Sequence, residues 1–497
     1  MLPPHKTKVV CTVGPACQSR EVLERMIRAG MDVARLNFSH GDFQTHAGMI
    51  ENIRAAALQA GKRVAILGDL PGPKMRIGEI GGGPVELRSG DSFVLTSDRI
   101  VGDARRVAVT YAGLPQAVQP GDTLFLNDGN IQLEVVRVEG AEVHCRVVVG
   151  GELSSRKGLN LPGIALGLSA FTERDREWLA FGLQHGVDAV SQSFVETAAD
   201  VEAVRSAARA AGGKPFVIAK IERAGALANV DEILQAADGI MIARGDLGVE
   251  IPIENMAVVQ KELVRKALLL GKPVITATQM LESMVEHRRP TRAEATDVAN
   301  AILDGSDCVM LSAESAMGRF PVEAVTMLAR IAAATEPHLP QERIRAAVER
   351  FGRDGSVGPV DLIALGVFTS VDRVTPAAVI APTRSGATAR NLARFRLPVW
   401  VVGVSPDAAT CQALQLTYGV FPVHQPGRPP SWNRFARDWL RSQGVEGGFA
   451  LLAEGPSADH PDANHRMEII DLAGNAPLNP GEPPGGEASA RRSRTQR

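Results

Sequence analysis

Phe216-Val217-Ile218-Ala219-Lys220-Ile221-Glu222, followed by Asp238-Gly239-Ile240-Met241-Ile242-Ala243-Arg244-Gly245-Asp246-Leu247-Gly248-Val249-Glu250, is the stretch around which the chain is organised. Each half contains an apolar run of strand length that ends in charge. Strand faces alternate residue by residue, so Lys220 and Glu222 point the same way. As parallel neighbours the two runs bring Lys220, Glu222 and Asp246 to one rim. Two carboxylates there suit Mg2+, which takes one or two of them plus substrate oxygens. A lysine beside them offers a point charge to a phosphoryl group or a developing enolate. Any single charged residue can end a strand simply because loops are wet. The set gains weight because the pattern recurs around the chain.

Outward from this stretch, Lys8 to Val13, Asp32 to Phe38, and Arg63 to Leu67 before Gly68-Asp69 predict three strands. Ala189 to Phe194, Phe216 to Ile221, Gly239 to Ala243, Pro273 to Thr278 and Cys308 to Ser312 predict five more. Amphipathic stretches separate them, among them Ser19 to Ala29, Thr172 to about His185, Met256 to Leu270 and Thr291 to Leu303. Eight β-α units predict a (β/α)8 TIM barrel of the α/β class. An open doubly wound sheet is the alternative, but it does not need eight units, and the chain has no GxGxxG or Walker A sequence. Polar residues fall at strand C-terminal ends: Arg35, Asn37 and Ser39; Asp69; Ser193; Lys220 and Glu222; Arg244, Gly245 and Asp246; Thr278; Ser312 and Glu314. Barrel enzymes build their sites there. A mixture of carboxylates, hydroxyls, Arg and Lys favours a metal and phosphate site over simple solubility.

No helix follows the third strand. Pro71-Gly72-Pro73 opens a stretch of short β-rich segments and turn signals, Gly81-Gly82-Gly83 among them. The predicted division is a barrel over 1–70 and 158–337, an inserted β domain over 71–157, and a C-terminal αβ domain over 355–472. In the last, Val360 to Ser370 predicts a helix, and Ala378 to Ile380, Val399 to Gly403, Val420 to Val423 and Met467 to Leu472 predict strands. Its loop Thr383-Arg384-Ser385-Gly386-Ala387-Thr388 is either an ordinary helix cap or a phosphate cradle. Residues 473–497, rich in Gly, Pro, Glu and Arg, are expected to be a disordered tail.

A net charge of −2 over 497 residues argues against a general nucleic-acid binder. No apolar run of membrane length appears, and the first residues have no apolar signal-peptide region. Five scattered cysteines without a CxxC fit buried thiols in a reducing cytoplasm. Only ten of the 54 basic residues are lysines. Lys62, Lys214 and Lys272 each follow a glycine at a helix end, where a cation suits the helix dipole. Lys74, Lys157 and Lys220 have no such reason to be lysine.

Read in order, Ala34-Arg35-Leu36-Asn37-Phe38-Ser39-His40-Gly41, the Lys220-to-Glu222 strand, Ile242-Ala243-Arg244-Gly245-Asp246-Leu247-Gly248, Ala277-Thr278-Gln279-Met280-Leu281-Glu282-Ser283-Met284, Pro290-Thr291-Arg292-Ala293-Glu294 and Met310-Leu311-Ser312 closely resemble the pyruvate kinases. The likeness covers residues 6–335 and continues more weakly to about 472. It implies an inserted small β-barrel lid and phosphoryl transfer from phosphoenolpyruvate to ADP, giving ATP and pyruvate, the last step of glycolysis. It implies that Arg35 binds the phosphate, that Glu222 and Asp246 hold Mg2+ or Mn2+, and that Lys220 stabilises the phosphoryl group in flight. Thr278 and the Gly245-Asp246 backbone would seat the carboxylate. Asn37, His40, Arg76, Lys157 and Asp128 would meet the nucleotide. Ser312 and Glu314 would either relay a proton near Thr278 or serve as structural hydrogen-bond partners. The likeness further implies a cytoplasmic homotetramer and a phosphorylated small-molecule effector at Thr383, Arg384, Ser385, Gly386 and Thr388.

The chain departs from the family at some positions. Asn127-Asp128 stands for a usual pair of aspartates, Arg156-Lys157 for a pair of lysines, and Met317 for a frequent lysine. The family's monovalent-cation ligands match Asn37, Ser39, Asp69 and the carbonyl of Leu70. Yet Leu70 and Lys74 stand where potassium-dependent members carry Thr and Glu, so K+ is not expected to be required. A Mg2+-dependent barrel lyase or aldolase acting on pyruvate or an enolate is the competing enzyme class, and a catalytically inactive binding or regulatory paralogue the other competing reading. Arg35, Asn37 and Ser39 with the β insert argue against the former, and intact Lys220, Glu222, Asp246 and Thr278 against the latter.

Overall fold

The computed structural model describes residues 2–164, 167–340, 346, 358–456 and 463–472. The barrel strands are β1 (Lys8–Thr12), β2 (Met31–Asn37) and β3 (Ala65–Leu70). The inserted strands are β4 (Val85–Leu87), β5 (Ser92–Thr96), β6 (Arg106–Ala108), β7 (Thr123–Leu126), β8 (Ile131–Glu139), β9 (Glu142–Val149), β10 (Gly151–Leu153) and β11 (Leu159–Asn160). The barrel resumes with β12 (Ala189–Gln192), β13 (Phe216–Ile221), β14 (Gly239–Ala243), β15 (Val274–Ala277) and β16 (Cys308–Leu311). Hydrogen bonding closes them in the order β1-β16-β15-β14-β13-β12-β3-β2, all parallel.

Alternation decides what each strand contributes. Val9, Cys11, Ile66, Val217, Ile240 and Val309 pack outward with helix residues such as Leu23, Ile53, Leu179 and Leu263. The other parity, Val10, Val33, Leu67, Ala189, Ile218, Met241, Ile275 and Met310, forms its own cluster inside the barrel. Two residues further along the inward parity stand Thr12, Arg35, Asp69, Ser191 and Lys220. One strand layer thus turns from hydrocarbon to charge, and this builds the site.

β3 runs on through Gly68 and Asp69 to Leu70, past its predicted end at Leu67. Gly68 breaks nothing. A Cβ there would come within 2.7 Å of the Phe38 ring, which stacks on Trp178 with centroids 4.6 Å apart. The glycine makes room for an aromatic.

The insert between β3 and β12 is strand-rich: a six-stranded sheet β11-β7-β8-β9-β5-β6 and a two-stranded sheet β10-β4 around one apolar core. Its pairing reaches Asn160, beyond the expected boundary at 157. At its neck Arg76 bridges antiparallel to Gly158.

The C-terminal sheet comprises β17 (Val379–Pro382), β18 (Val401–Ser405), β19 (Val420–His424), β20 (Phe449–Glu454) and β21 (Arg466–Asp471), in the order β19-β18-β17-β20-β21. Strand β20 and the helix Trp432–Ser442 were not anticipated from the sequence. The helix buries Ala436 and Leu440 on one face of the sheet, and Pro359–Arg373 covers the other. Leu416 of this domain joins the cluster inside the barrel. Beside it the fully buried Arg396 donates from Nη2 to Asp307 Oδ2 at 2.8 Å, and from Nε to the Gly305 carbonyl at 3.2 Å.

All five cysteines are free and buried. Among the described residues no helix is long and apolar enough to cross a membrane. The predicted tail 473–497 lies outside the described residues.

Candidate active site

Asp69 is the hub of the rim. It is flanked in register by Asn37 of β2 and Ser191 of β12. Its Oδ2 accepts from Arg35 Nε at 2.9 Å and Nη2 at 2.5 Å. Its Oδ1 accepts from Ser191 Oγ at 2.7 Å and faces Lys220 Nζ at 3.6 Å. Burial works to raise this carboxyl's pKa, but Lys220 and Arg35 outweigh it and hold it below its ordinary value. Arg35 is further fixed by Nη1 donating to Thr12 Oγ1 at 2.8 Å.

Lys220 is equally well held. Nζ donates to Ser193 Oγ at 2.6 Å and lies 3.1 Å from Glu222 Oε2. Burial works to lower its pKa, but Asp69 and Glu222 more than compensate, so the ammonium keeps its proton. Glu222 Oε1 accepts from the Phe194 amide at 2.8 Å, while its buried Oε2 receives no hydrogen bond. Burial first, and then the Asp246 charge against the relief given by Lys220, raise the Glu222 carboxyl. Phe194 reaches Glu222 from a left-handed backbone, φ +61°. Gly72 makes this possible, because a Cβ there would sit 2.8 Å from the Phe194 ring.

Arg244, Gly245 and Asp246 open a helix, Arg244–Glu250, instead of ending a strand. The Gly245 amide donates to Thr278 Oγ1 at 2.8 Å. Thr278 and Gln279 are both left-handed, φ +68° and +54°. Such strain persists where the surroundings over-determine it. Here Arg244 supplies the hold: Nη2 donates to the Thr278 carbonyl at 2.7 Å and Nη1 pairs with Asp297 at 2.7 Å.

Glu314 is fully buried. Its Oε1 accepts from the Leu281 amide at 3.0 Å and its Oε2 from the Ser312 amide at 2.6 Å. Both oxygens accept from backbone amides.

Above the rim, Asn37 Oδ1 accepts from the Ser39 amide at 3.1 Å and the His40 carbonyl is bonded to His46. Burial, then Lys74, Arg76 and Arg35, hold the His40 imidazole below its ordinary pKa. Lys74 itself is exposed. Arg76 and Lys157 sit on the paired neck segments, where the Lys157 carbonyl accepts from the Ile77 amide at 2.9 Å. Asp128 is exposed on a left-handed turn, φ +56°. The next residue, Gly129, faces Val249 at the end of the Asp246 helix. In the C-terminal domain Thr383, Arg384, Ser385 and Thr388 line a cavity of about 800 Å³ with Arg428 and Trp432. Gly386 is left-handed at the start of a seven-residue helix, and the Ser385 carbonyl accepts from Arg390 at 2.9 Å.

Thr12 and Ser191 are not among the residues expected from the sequence, though the inward parity of β1 and β12 points to both, and nothing in the residue type of Phe194 signals the role of its amide.

Among the described residues no three His, Cys, Asp or Glu side chains are grouped to enclose a metal. Glu222 and Asp246 nonetheless fit a cation that keeps waters and borrows substrate oxygens. The buried Glu222 Oε2 accepts no hydrogen bond and is met only by the Lys220 ammonium at 3.1 Å, while burial and the Asp246 charge still raise its carboxyl, so a further cation would be welcome there.

Residues 4–325 match the family description "Pyruvate kinase, barrel domain", and residues 361–447 match "Pyruvate kinase, alpha/beta domain". The pyruvate kinase of Thermococcus litoralis is 49% identical over 85% of this chain and 89% of its own. That of Geobacillus stearothermophilus is 44% identical over 85% and 72%. A crystal structure of a pyruvate kinase from Cryptosporidium parvum superposes with a TM-score of 0.88 at 35% identity, covering 94% of this chain and 96% of that one. With a closed eight-strand barrel, a strand-rich insert and a C-terminal αβ domain in the matching order, the chain belongs to the pyruvate kinase family of phosphotransferases.

Proposed function

We propose that this rim moves the phosphoryl group of phosphoenolpyruvate to ADP, with the roles divided as follows. The observation that carries it is the buried Lys220 ammonium, held between Asp69 and Glu222 and next to Arg35. Arg35 binds the phosphate, and Lys220 sits where charge builds as the group leaves. Thr278 and the Gly245-Asp246 backbone orient the carboxylate. Glu222 and Asp246 would hold Mg2+ or Mn2+, which when bound supplies positive charge to the phosphoryl and enolate oxygens. Arg76, Lys157, Asp128, Asn37 and His40 would meet ADP, and closure of the insert over the rim would exclude water. The enolate left behind takes a proton on carbon. Pyruvate formation that depends on both ADP and Mg2+ in a coupled assay tests this reading; pyruvate release indifferent to ADP overturns it.

K+ is not required in this reading. The Asp69 oxygens are already occupied by Arg35, Ser191 and Lys220. Lys74 adds positive charge beside His40. Lys74 is exposed, so its charge is screened by water, but it still opposes a free cation near His40. Activity in a K+-free tetramethylammonium buffer is therefore expected to be close to that with K+. Lys74→Glu is expected to lower the K+-free rate. A large loss of wild-type activity restored by K+ would show the opposite.

A cytoplasmic homotetramer is the assembly proposed. The helix Arg292–Asp304, started by a full capping box at Thr291 and Glu294, presents Arg292, Ala293, Thr296 and Asn300 along an open groove. A monomer in sedimentation at micromolar concentration refutes it. The cavity beside Thr383 to Thr388 supports a phosphorylated effector, and calorimetry with sugar phosphates and AMP decides that.

A further inference from the structure

We propose that Arg223 is a positioning residue that ties the return segment of the insert to the helix carrying Asp246, and so keeps the insert and the metal-binding carboxylates in register. The inference rests on Glu222 and Asp246 being the metal pair.

Arg223 follows Glu222 directly and is 8% exposed. Three segments converge on it. Its Nη2 donates to the Ile164 carbonyl at 3.0 Å, and Ile164 packs against the apolar core of the insert. Its Nε lies 3.0 Å from Glu196 Oε1, two residues beyond the Phe194 amide that holds Glu222. The same Nε lies 3.8 Å from Glu250 Oε2. Glu250 is the last residue of the helix that opens with Arg244-Gly245-Asp246, and its side chain is 5% exposed. Glu250 Oε2 also accepts from the Ala224 amide at 3.4 Å. Asn229 fixes the other segment, donating from Nδ2 to the Glu196 carbonyl at 2.9 Å.

The chemistry requires a guanidinium. Its planar fork offers several donors in fixed directions and can serve a carbonyl and two carboxylates together. A lysine ammonium is one point on a flexible stem. The carboxylates need a buried cation: burial raises the Glu250 carboxyl, Arg223 lowers it, and Glu196 and Asp246 raise it again. Without Arg223 the end of the Asp246 helix faces Glu196 with no counter-charge, and the return segment of the insert loses its anchor next to Glu222. Outer partners of metal ligands commonly matter to metal affinity in this way.

The test uses the full chain with Arg223→Gln and Arg223→Lys, followed by amide hydrogen exchange, thermal melting and Mg2+ titration of turnover. Arg223→Gln is expected to exchange faster at both 157–164 and 244–250, and to need about tenfold more Mg2+ for half-saturation. Arg223→Lys is expected to expose 157–164 while 244–250 stays protected, because its charge still serves Glu250. Wild-type protection of both segments in a folded Arg223→Gln overturns the proposal. If that variant does not fold, wild-type protection of 157–164 in Arg223→Lys overturns it. Faster exchange with an unchanged Mg2+ requirement also overturns it, since a purely structural tether would give that result. Glu222→Gln separates the two readings: if it leaves the Mg2+ requirement unaltered, the metal assignment is what has failed.

Discussion

Lys220→Met is expected to fold and to lose roughly a thousandfold or more in kcat, since removing one preorganised charge at a transition state costs about 3–4 kcal/mol. The ammonium it deletes is buried, donates to Ser193, and stands within 3.1 Å of Glu222 and 3.6 Å of Asp69. Water cannot substitute there without reorganising. The folded-state pKa of Lys220 is raised, so the charge is complete below its ordinary value and is lost only at higher, strongly alkaline pH. The wild-type rate should therefore show no neutral-pH limb from this residue. Asp69 keeps Arg35 in the variant, but Glu222 loses its closest cation and should ionise less readily. Turnover in a coupled assay and a thermal melt, measured side by side, separate chemistry from folding. Near wild-type turnover would remove Lys220 from the mechanism.

The second large effect concerns stability. Arg396→Met is expected to cost about 3–5 kcal/mol, the usual penalty for leaving one member of a buried ion pair uncompensated. Asp307 is the group left behind. Its Oδ1 accepts from Arg396 Nη1 at 3.1 Å and from the Tyr418 amide at 2.9 Å. Its Oδ2 accepts from Arg396 Nη2 and, at 3.1 Å, from the Val274 amide. The guanidinium also lies over the Tyr418 ring at 5.0 Å and reaches the Gly305 carbonyl. Arg396 is thus one of several ties between barrel and C-terminal domain, beside Leu416 in the barrel cluster and Gln415 Nε2 donating to the Arg63 carbonyl at 2.6 Å, and its loss should lower the midpoint of denaturant unfolding. A midpoint and slope equal to wild type would show the tie to be dispensable. Removing both partners, in Arg396→Met with Asp307→Leu, should recover part of the loss.

The barrel was legible because its strands repeat one message: an apolar alternation that ends in polar residues of inward parity. Lys220, Glu222 and Arg35 could be placed on one rim from that alone. The pairing among them could not. That Arg35 and Lys220 share the Asp69 carboxylate depends on which strands become neighbours when the barrel closes, and β3 and β12 are separated by the whole insert. The glycine at 68 misled because its use, space for Phe38, is a tertiary fact that looks locally like a strand end. Arg244, Gly245 and Asp246 were read as a strand end because the helix they open is short and its second residue is glycine. Strand β20 and its preceding helix were missed although Phe449–Glu454 is an apolar run and Trp432–Ser442 is amphipathic, because Gly- and Pro-rich segments flank them.

The neck pairing of Arg76 with Gly158 bears on the order of assembly. β3 must find β12 as its neighbour, and Asp69 and Ser191 stand 122 residues apart in the chain. A flexible loop that long carries a closure cost, growing by about 0.6 kcal/mol for each doubling of length. An insert that folds first, around its own core, brings its two ends together at the neck and shortens the effective loop before the barrel closes. An insert that folds before the barrel closes would act as a splint for it, and the seam between β3 and β12 would gain most.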